Sequence, residues 1–155
     1  MAIPLTTAKL NEVLNCSNVT KAMYLGAFPS CIKPQTRQKK YSFILNTDDH
    51  YETGQHWCAF MVNRQKISFF DSLGREPWDP SFPTHFQNIV DDYDQVEYTQ
   101  ARLQNWTSET CGYFCIHFIY VLSLGLDYKY FLNEYSNNFL ENDNVVLEFY
   151  NSICY

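Results

Sequence analysis

The chain has 155 residues, enough for one domain with a substantial core, and we expect a single domain over residues 1–155. It contains 12 Tyr and 12 Phe, an aromatic content that favours a densely packed protein and excludes a disordered one. Acidic residues outnumber basic ones by 17 to 11, and the net charge of −6 argues against general nucleic-acid binding.

The N-terminal sequence and the cysteines indicate the cellular compartment in which we expect the protein. Residues 1–5 contain neither a basic stretch nor a long apolar one, so we expect no secretion signal. Several of the 6 cysteines lie inside apolar runs, where a free thiol behaves as a small hydrophobe. The apolar run that follows Cys111 is too short to cross a membrane. We therefore expect a reduced, intracellular protein with no membrane association.

The first half of the chain is predicted to form one helix and then several strands. Leu10, Val13 and Leu14 have helical spacing, and Thr6 or Thr7 can cap that helix. A loop over 29–40 carries the one basic cluster, which we interpret as a solvated surface. Strand-like runs are found at residues 22–26, 41–45, 57–62 and 66–71. The last two runs are separated by a link of hairpin length.

The second half is predicted to be mainly helical. Thr84 is expected to cap a helix to about residue 93, and residues 95–99 alternate as in a fifth strand. Three more helices are predicted over 111–124, 127–135 and 143–153. Strands in the middle of the chain with helices at both ends indicate an α+β fold.

Cys111 is the most informative residue of the chain. It stands at the start of a predicted helix, where unpaired backbone N–H groups favour a thiolate. That helix is apolar on every side, so we expect it to be buried and rigid. Gly112 lets another chain pass close to the sulfur, as a substrate backbone must. These features predict a nucleophilic cysteine.

Three polar residues at the ends of elements can complete such a site. His56 begins one strand of the predicted hairpin and Asp71 ends the other, so their side chains are expected to meet. The imidazole would take the thiol proton, and the carboxylate would orient the imidazole. Gln104 lies in the loop before Cys111, and its amide can donate to a developing oxyanion.

Plainer interpretations exist for each of these residues. A lone histidine at a strand edge is usually structural, and Asp71 could simply start a turn. Cys111, Cys115 and His117 could in principle bind a metal, but the third residue points away from the shared helix face. Cys115 is better explained by packing against the sheet. The ordered set of His56, Asp71, Gln104 and Cys111 nevertheless favours catalysis, with no metal.

The ordered set also resembles a known family. Asn46-Thr47, Glu52-Thr53-Gly54 and His56-Trp57 with Ala59-Phe60 resemble the histidine region of adenain, the adenovirus maturation protease. The spacing from Gln104 to Cys111-Gly112 is also similar to that of adenain. The resemblance covers roughly residues 8–124. Adenain is related to the SUMO and ubiquitin-like proteases, and residues 69–73, which include Asp71, resemble that branch more closely.

The resemblance implies a rearranged papain-like fold, in which a central mixed or mostly antiparallel sheet packs on the buried helix of the nucleophile. It implies a cysteine endopeptidase that processes a viral or virus-derived precursor, in the host nucleus or cytoplasm or in the virion. Trp57 would roof a narrow channel beside Gly112, so that cleavage follows small residues, most often glycine. A half-buried strand tryptophan is the plainer interpretation.

Two alternatives and two differences accompany this resemblance. The main alternative is an isopeptidase acting on a ubiquitin-like modifier, and a catalytically idle peptide-binding domain is a weaker one. Adenain is basic and is stimulated by DNA, whereas this chain is acidic. Residues 93–104 contain no cysteine that could hold an activating peptide by a disulfide. We therefore expect no required cofactor and no role for DNA, and we leave open a non-covalent activating peptide.

Overall fold

The structure is a computed structural model that describes residues 2–47 and 56–154. The helices are α1 (Thr7–Cys16), α2 (Thr84–Val90), α3 (Cys111–Ser123), α4 (Tyr128–Leu132) and α5 (Phe139–Cys154). The strands are β1 (Tyr24–Phe28), β2 (Lys40–Asn46), β3 (Trp57–Asn63), β4 (Lys66–Phe70) and β5 (Gln95–Glu97). In the described ranges, no helix is both long enough and apolar enough to cross a membrane.

The five strands form one mixed sheet in the order β1-β2-β3-β4-β5. β1 is parallel to β2, the next two pairs are antiparallel, and β5 is parallel to β4. The β3–β4 pair is the predicted hairpin, and its tight turn includes Arg64 at a φ of 59°. The α+β class with a central mixed sheet is therefore confirmed.

Helices cover both faces of this sheet. On one face, Ala59 and Met61 of β3 pack with α3, which is buried along almost its whole length. On the other face, Cys58 and Phe60 pack with Phe86 of α2. Because both faces are covered, the residues of β3 are buried without alternation. The helix that begins at Cys111 is thus held firmly against the sheet.

Several element boundaries differ from those predicted. β1 lies two residues later than the predicted strand. At α2, Pro83 occupies the cap position, so the prediction that Thr84 is the cap is wrong, and the helix ends at Val90. α5 begins four residues earlier than predicted because Asn138 Oδ1 accepts the Glu141 N–H and starts the helix there. The prediction that Thr6 or Thr7 caps the first helix is confirmed for Thr6, since its side chain accepts the Lys9 N–H.

Candidate active site

The open end of the β3–β4 hairpin brings together His56 and Asp71. His56 immediately precedes β3 and Asp71 immediately follows β4, so the antiparallel pairing places both at the same end of the sheet. His56 Nε2 forms a hydrogen bond with Asp71 Oδ1. The predicted meeting of imidazole and carboxylate therefore occurs. The resembling segment Glu52-Thr53-Gly54, just before His56, lies outside the described residues.

The Asp71 carboxylate is buried and fully engaged. Its Oδ2 accepts hydrogen bonds from Arg75 Nε at 2.8 Å and from the Arg75 backbone N–H at 3.0 Å. The Leu73 N–H lies 3.3 Å from Oδ1. Burial alone would raise the pKa of Asp71, but the hydrogen bonds and charges of His56 and Arg75 outweigh burial and lower it. The carboxylate is therefore ionised at neutral pH.

The third member of this group is Cys111, the first residue of α3. Its side chain is hydrogen-bonded to His56. Since Nε2 of that ring faces Asp71, Nδ1 is the nitrogen left for the thiol. Burial lowers the pKa of His56, but hydrogen bonds to Asp71 and Cys111 more than compensate and raise it to about 9. At neutral pH the imidazole therefore carries a proton.

Gln104 is buried, and both ends of its side-chain amide are held. Ser72 Oγ donates to Gln104 Oε1 at 2.5 Å, and Gln104 Nε2 donates to the Ser108 carbonyl at 2.8 Å. The Ser72 carbonyl accepts the backbone N–H groups of Leu103 and Gln104 at 2.9 and 3.0 Å. Because Ser72 follows Asp71 directly, Gln104 is tied to the same strand end. The Ser108 carbonyl accepts one of the two Nε2 protons of Gln104, and the other proton can be donated to a different acceptor.

Trp57 and Gly112 contact the chain's own N-terminal segment. Trp57 is 6% exposed, and its Nε1 donates to the Leu5 carbonyl at 3.0 Å. A Cβ added at Gly112 would lie 3.1 Å from Leu5 Cβ and 3.4 Å from Trp57 Cδ1. The chain that passes close to Gly112 is therefore residue 5 of the same molecule. Tryptophan packing accounts for this contact, and a substrate-binding role for both residues stays a prediction.

Two sets of possible metal ligands can be judged by their chemistry. The ligand atoms of His56, Cys58 and Asp71 lie within 4.8 Å of one another. Burial raises the pKa of Cys58 well above its usual value, which keeps the thiol protonated, and Asp71 is already occupied by Arg75. This set is therefore a poor metal site.

The second set, Cys111, Cys115 and His117, does not share a centre. Cys115 Sγ donates to the Trp57 carbonyl at 3.3 Å, towards the sheet. The ring of His117 is hydrogen-bonded to Tyr135 instead. Packing against the sheet is thus the role that the contacts of Cys115 support.

Sequence reasoning missed two residues of this group, Arg75 and Ser72. Arg75 lies four residues after Asp71, but outside a helix that spacing implies no contact. Its guanidinium also lies 4.3 Å from the centre of the Phe82 ring, which fixes its position. Ser72 acts through its backbone carbonyl as well as its hydroxyl, and backbone contacts leave little signal in a sequence.

Comparison with known proteins shows the class of fold. No protein-family model matches the sequence, and no curated protein matches it. The structure resembles the crystal structure of the ASFV pS273R protease, with a TM-score of 0.59 at 18% identity. The match covers 90% of this chain and 64% of that chain, so this chain spans less than two thirds of that protease. The chain therefore has the fold of a protease.

A selenomethionine form of the same ASFV protease also matches. Its TM-score is 0.45 at 24% identity, with 68% of this chain and 41% of that chain covered. The fold assignment depends on the first of the two matches.

Proposed function

We propose that the protein is a cysteine endopeptidase in which Cys111 is the nucleophile. The observation that carries this proposal is the position of His56, which is hydrogen-bonded to Asp71 on one side and to Cys111 on the other. A buried carboxylate, an imidazole and a thiol in that order form a nucleophilic triad. The likeness of the fold to a protease supports the same conclusion.

The triad can hydrolyse an amide in two steps. In the Cys111–His56 pair the proton lies on the imidazole, so the sulfur attacks the carbonyl carbon directly, and the oxygen becomes an oxyanion. Gln104 Nε2 and the backbone N–H of Cys111 donate to that oxyanion. The imidazolium of His56 protonates the leaving amine, and the C–N bond breaks to leave a thioester. Water, deprotonated by His56, then attacks the thioester and releases the acid and the thiol.

Asp71 stabilises the charged form of His56 throughout this cycle and holds its Nδ1 towards the sulfur. Arg75 in turn keeps Asp71 ionised and in place. The reaction requires no metal and no further cofactor in this proposal. A non-covalent activating peptide is compatible with it, whereas DNA is not expected to bind, since the chain carries a net charge of −6.

The substrate that we propose is a polypeptide with glycine at the cleavage site, within a viral or virus-derived precursor. Two observations support this: the adenain-like order of residues, and the fold of a protease whose source is a virus. The Asp71-Ser72 sequence also favours a second candidate, an isopeptidase acting on a ubiquitin-like modifier, because that branch of proteases has aspartate at this position.

A peptide-library cleavage profile tests the proposal. We expect cleavage after small residues, with loss of turnover in Cys111→Ala and in His56→Ala. Cys16→Ala is the matched control, since Cys16 is an exposed thiol at the end of α1, and it should keep full activity. Iodoacetamide should alkylate Cys111 ahead of the buried Cys58 and Cys115.

The outcomes separate the candidates. Cleavage of a folded ubiquitin-like fusion but not of short peptides would favour the isopeptidase. Full turnover by Cys111→Ala, or a Cys111 that stays unlabelled while Cys58 reacts, would contradict the proposed nucleophile. An absence of cleavage together with normal labelling would favour an idle peptide-binding domain.

A further inference from the structure

The segment beyond residue 124 has no place in the triad, yet its helix α5 contacts the loop that carries Gln104. We propose that Asn142 and Asp143 of α5 are positioning residues for the loop over residues 103–110. In this role they hold Gln104 and the start of α3 in register with the triad. The inference rests on the proposed function, because it assigns these residues to the oxyanion-stabilising part of that mechanism.

Asn142 holds the beginning of the loop. It is 1% exposed, and its Nδ2 donates to the Leu103 carbonyl at 3.1 Å and to the Ser136 carbonyl at 2.8 Å. Its Oδ1 accepts the Ser136 N–H at 2.9 Å. The amide is therefore fixed in one orientation by its own bonds. Since Leu103 precedes Gln104 directly, Asn142 fixes the backbone from which the Gln104 side chain extends.

Asp143 holds the end of the loop. It is 7% exposed, and its Oδ1 accepts the hydroxyl of Thr110 at 2.9 Å. Thr110 occupies the cap position of α3, where a threonine hydroxyl would ordinarily bind the helix's own N–H groups, but it makes no such bond. Thr110 Oγ1 also lies 2.9 Å from Ser108 Oγ. Asp143 thus fixes the residue before Cys111 and, through it, the residue whose carbonyl binds Gln104.

A third contact joins the outer surface of the loop to α5. The guanidinium of Arg102 lies 3.9 Å from the centre of the Phe139 ring and 4.5 Å from that of Trp106. The loop is therefore attached to α5 near both of its ends and along its surface. A donor can stabilise an oxyanion only when it is held at the right place beforehand, so these attachments have a catalytic consequence.

The sharpest test is a double-mutant cycle between Asn142→Ala and Gln104→Ala. Alone, Asn142→Ala should lower kcat on the order of 10-fold with KM nearly unchanged. The reason is that Gln104 Nε2 would no longer be held where the oxyanion forms in the transition state. In the Gln104→Ala background it should have little further effect, since no donor remains to be positioned. The rate of Cys111 alkylation by iodoacetamide should not change, because that reaction forms no oxyanion.

Two controls on the same helix separate positioning from stability. Val146→Ala removes two buried methyl groups from the core and no hydrogen bond to the loop, so it should lower Tm but leave kcat unchanged below the transition. The exposed Asn144→Ala should change neither. Asp143→Ala should lower kcat, and Asp143→Asn should recover most of it, since an amide oxygen can still accept the Thr110 hydroxyl.

Hydrogen exchange provides a measurement that does not depend on hydrolysis. The backbone N–H groups of Leu103 and Gln104 are bonded to Ser72, and they should exchange faster in Asn142→Ala than in Asn144→Ala. Unchanged exchange, or a loss of kcat that is equal in both Gln104 backgrounds, would overturn the positioning role while leaving the protease intact. An enzyme without hydrolytic activity whose exchange still responds to Asn142→Ala would instead refute only the proposed function.

Discussion

Replacing Arg75 by glutamine isolates the contribution of a residue that lies beside the triad and outside it. Arg75 Nε donates to Asp71 Oδ2 at 2.8 Å, and the Asp71 side chain is fully buried while that of Arg75 is 27% exposed. Arg75→Gln removes the charge and this bond. His56 and two backbone N–H groups remain on the carboxylate. The change therefore weakens the environment of Asp71 without leaving it unpaired.

The expected loss of stability follows from these contacts. A hydrogen bond to a charged group contributes about 1.5–3 kcal/mol, and the lost contact with the Phe82 ring adds about 0.5–1 kcal/mol. Removing one partner of an isolated buried ion pair costs about 3–5 kcal/mol, which sets an upper bound here. We expect the free energy of unfolding to fall by about 2–4 kcal/mol at pH 7.

The direction in which pH changes the stability contributed by Asp71 also follows from the structure. The pKa of Asp71 is lowered in the folded protein, so the stability that it contributes is present above its unfolded pKa and is lost as pH falls. Arg75→Gln should lower the stability of the protein most at neutral pH, and the gap between the two proteins should begin to narrow as pH falls below about 4. A small gap should remain in acid, because the Arg75–Phe82 contact does not depend on pH. Loss of a nearby positive charge should also raise the pKa of His56 further, moving the alkaline limb of activity upwards.

Urea denaturation over a series of pH values measures the first effect, and the pH profile of kcat/KM measures the second. Arg37→Gln is the matched control, because Arg37 is an exposed arginine in the 29–40 loop. We expect no change in either measurement for the control. A gap between Arg75→Gln and the wild type that stays constant down to pH 3, or an alkaline limb that does not move, would refute the electrostatic reasoning.

Four further predictions concern the site itself. Activity of the wild type should decline as pH rises through about 9, because the His56 imidazolium is then lost, and a pH profile of kcat/KM checks this. Gln104→Ala should lower kcat on the order of 10²-fold with KM little changed in steady-state assays. Gly112→Ala should lower Tm, because its Cβ would lie 3.1 Å from Leu5 Cβ and the hydrogen bond from Trp57 Nε1 to the Leu5 carbonyl restrains Leu5 from moving away. DNA should not stimulate turnover at low or moderate salt, since the chain is acidic, and stimulation that fades with salt would contradict this.

The triad could be predicted from the sequence because local rules decide where its members lie. A short link between two strands makes a hairpin, and a hairpin brings the residues at its open end together, which is why His56 and Asp71 meet. An apolar run preceded by a loop gives a buried helix with Cys111 at its start. Neither inference requires knowledge of contacts between distant parts of the chain.

The residues that hold the triad in place could not be predicted in the same way. Leu5 is bonded to a residue 52 positions away, and Asn142 to one 39 positions away. Arg75 is close in sequence to Asp71, but its contact depends on a turn that has no periodic pattern. Propensity and periodicity describe neighbours within an element, whereas these contacts depend on how the elements pack.

The position of α5 gives the two proposed positioning residues a physical connection to Cys111. One side of this helix contributes Val146 to the core that surrounds α3, and its first turns contribute Asn142 and Asp143 to the 103–110 loop. A substitution in the core side changes how much of the protein is folded, which lowers activity in proportion to the folded fraction. A substitution at the loop contacts should instead change kcat in the folded molecules. Measuring kcat per folded molecule therefore distinguishes the two roles of the same helix.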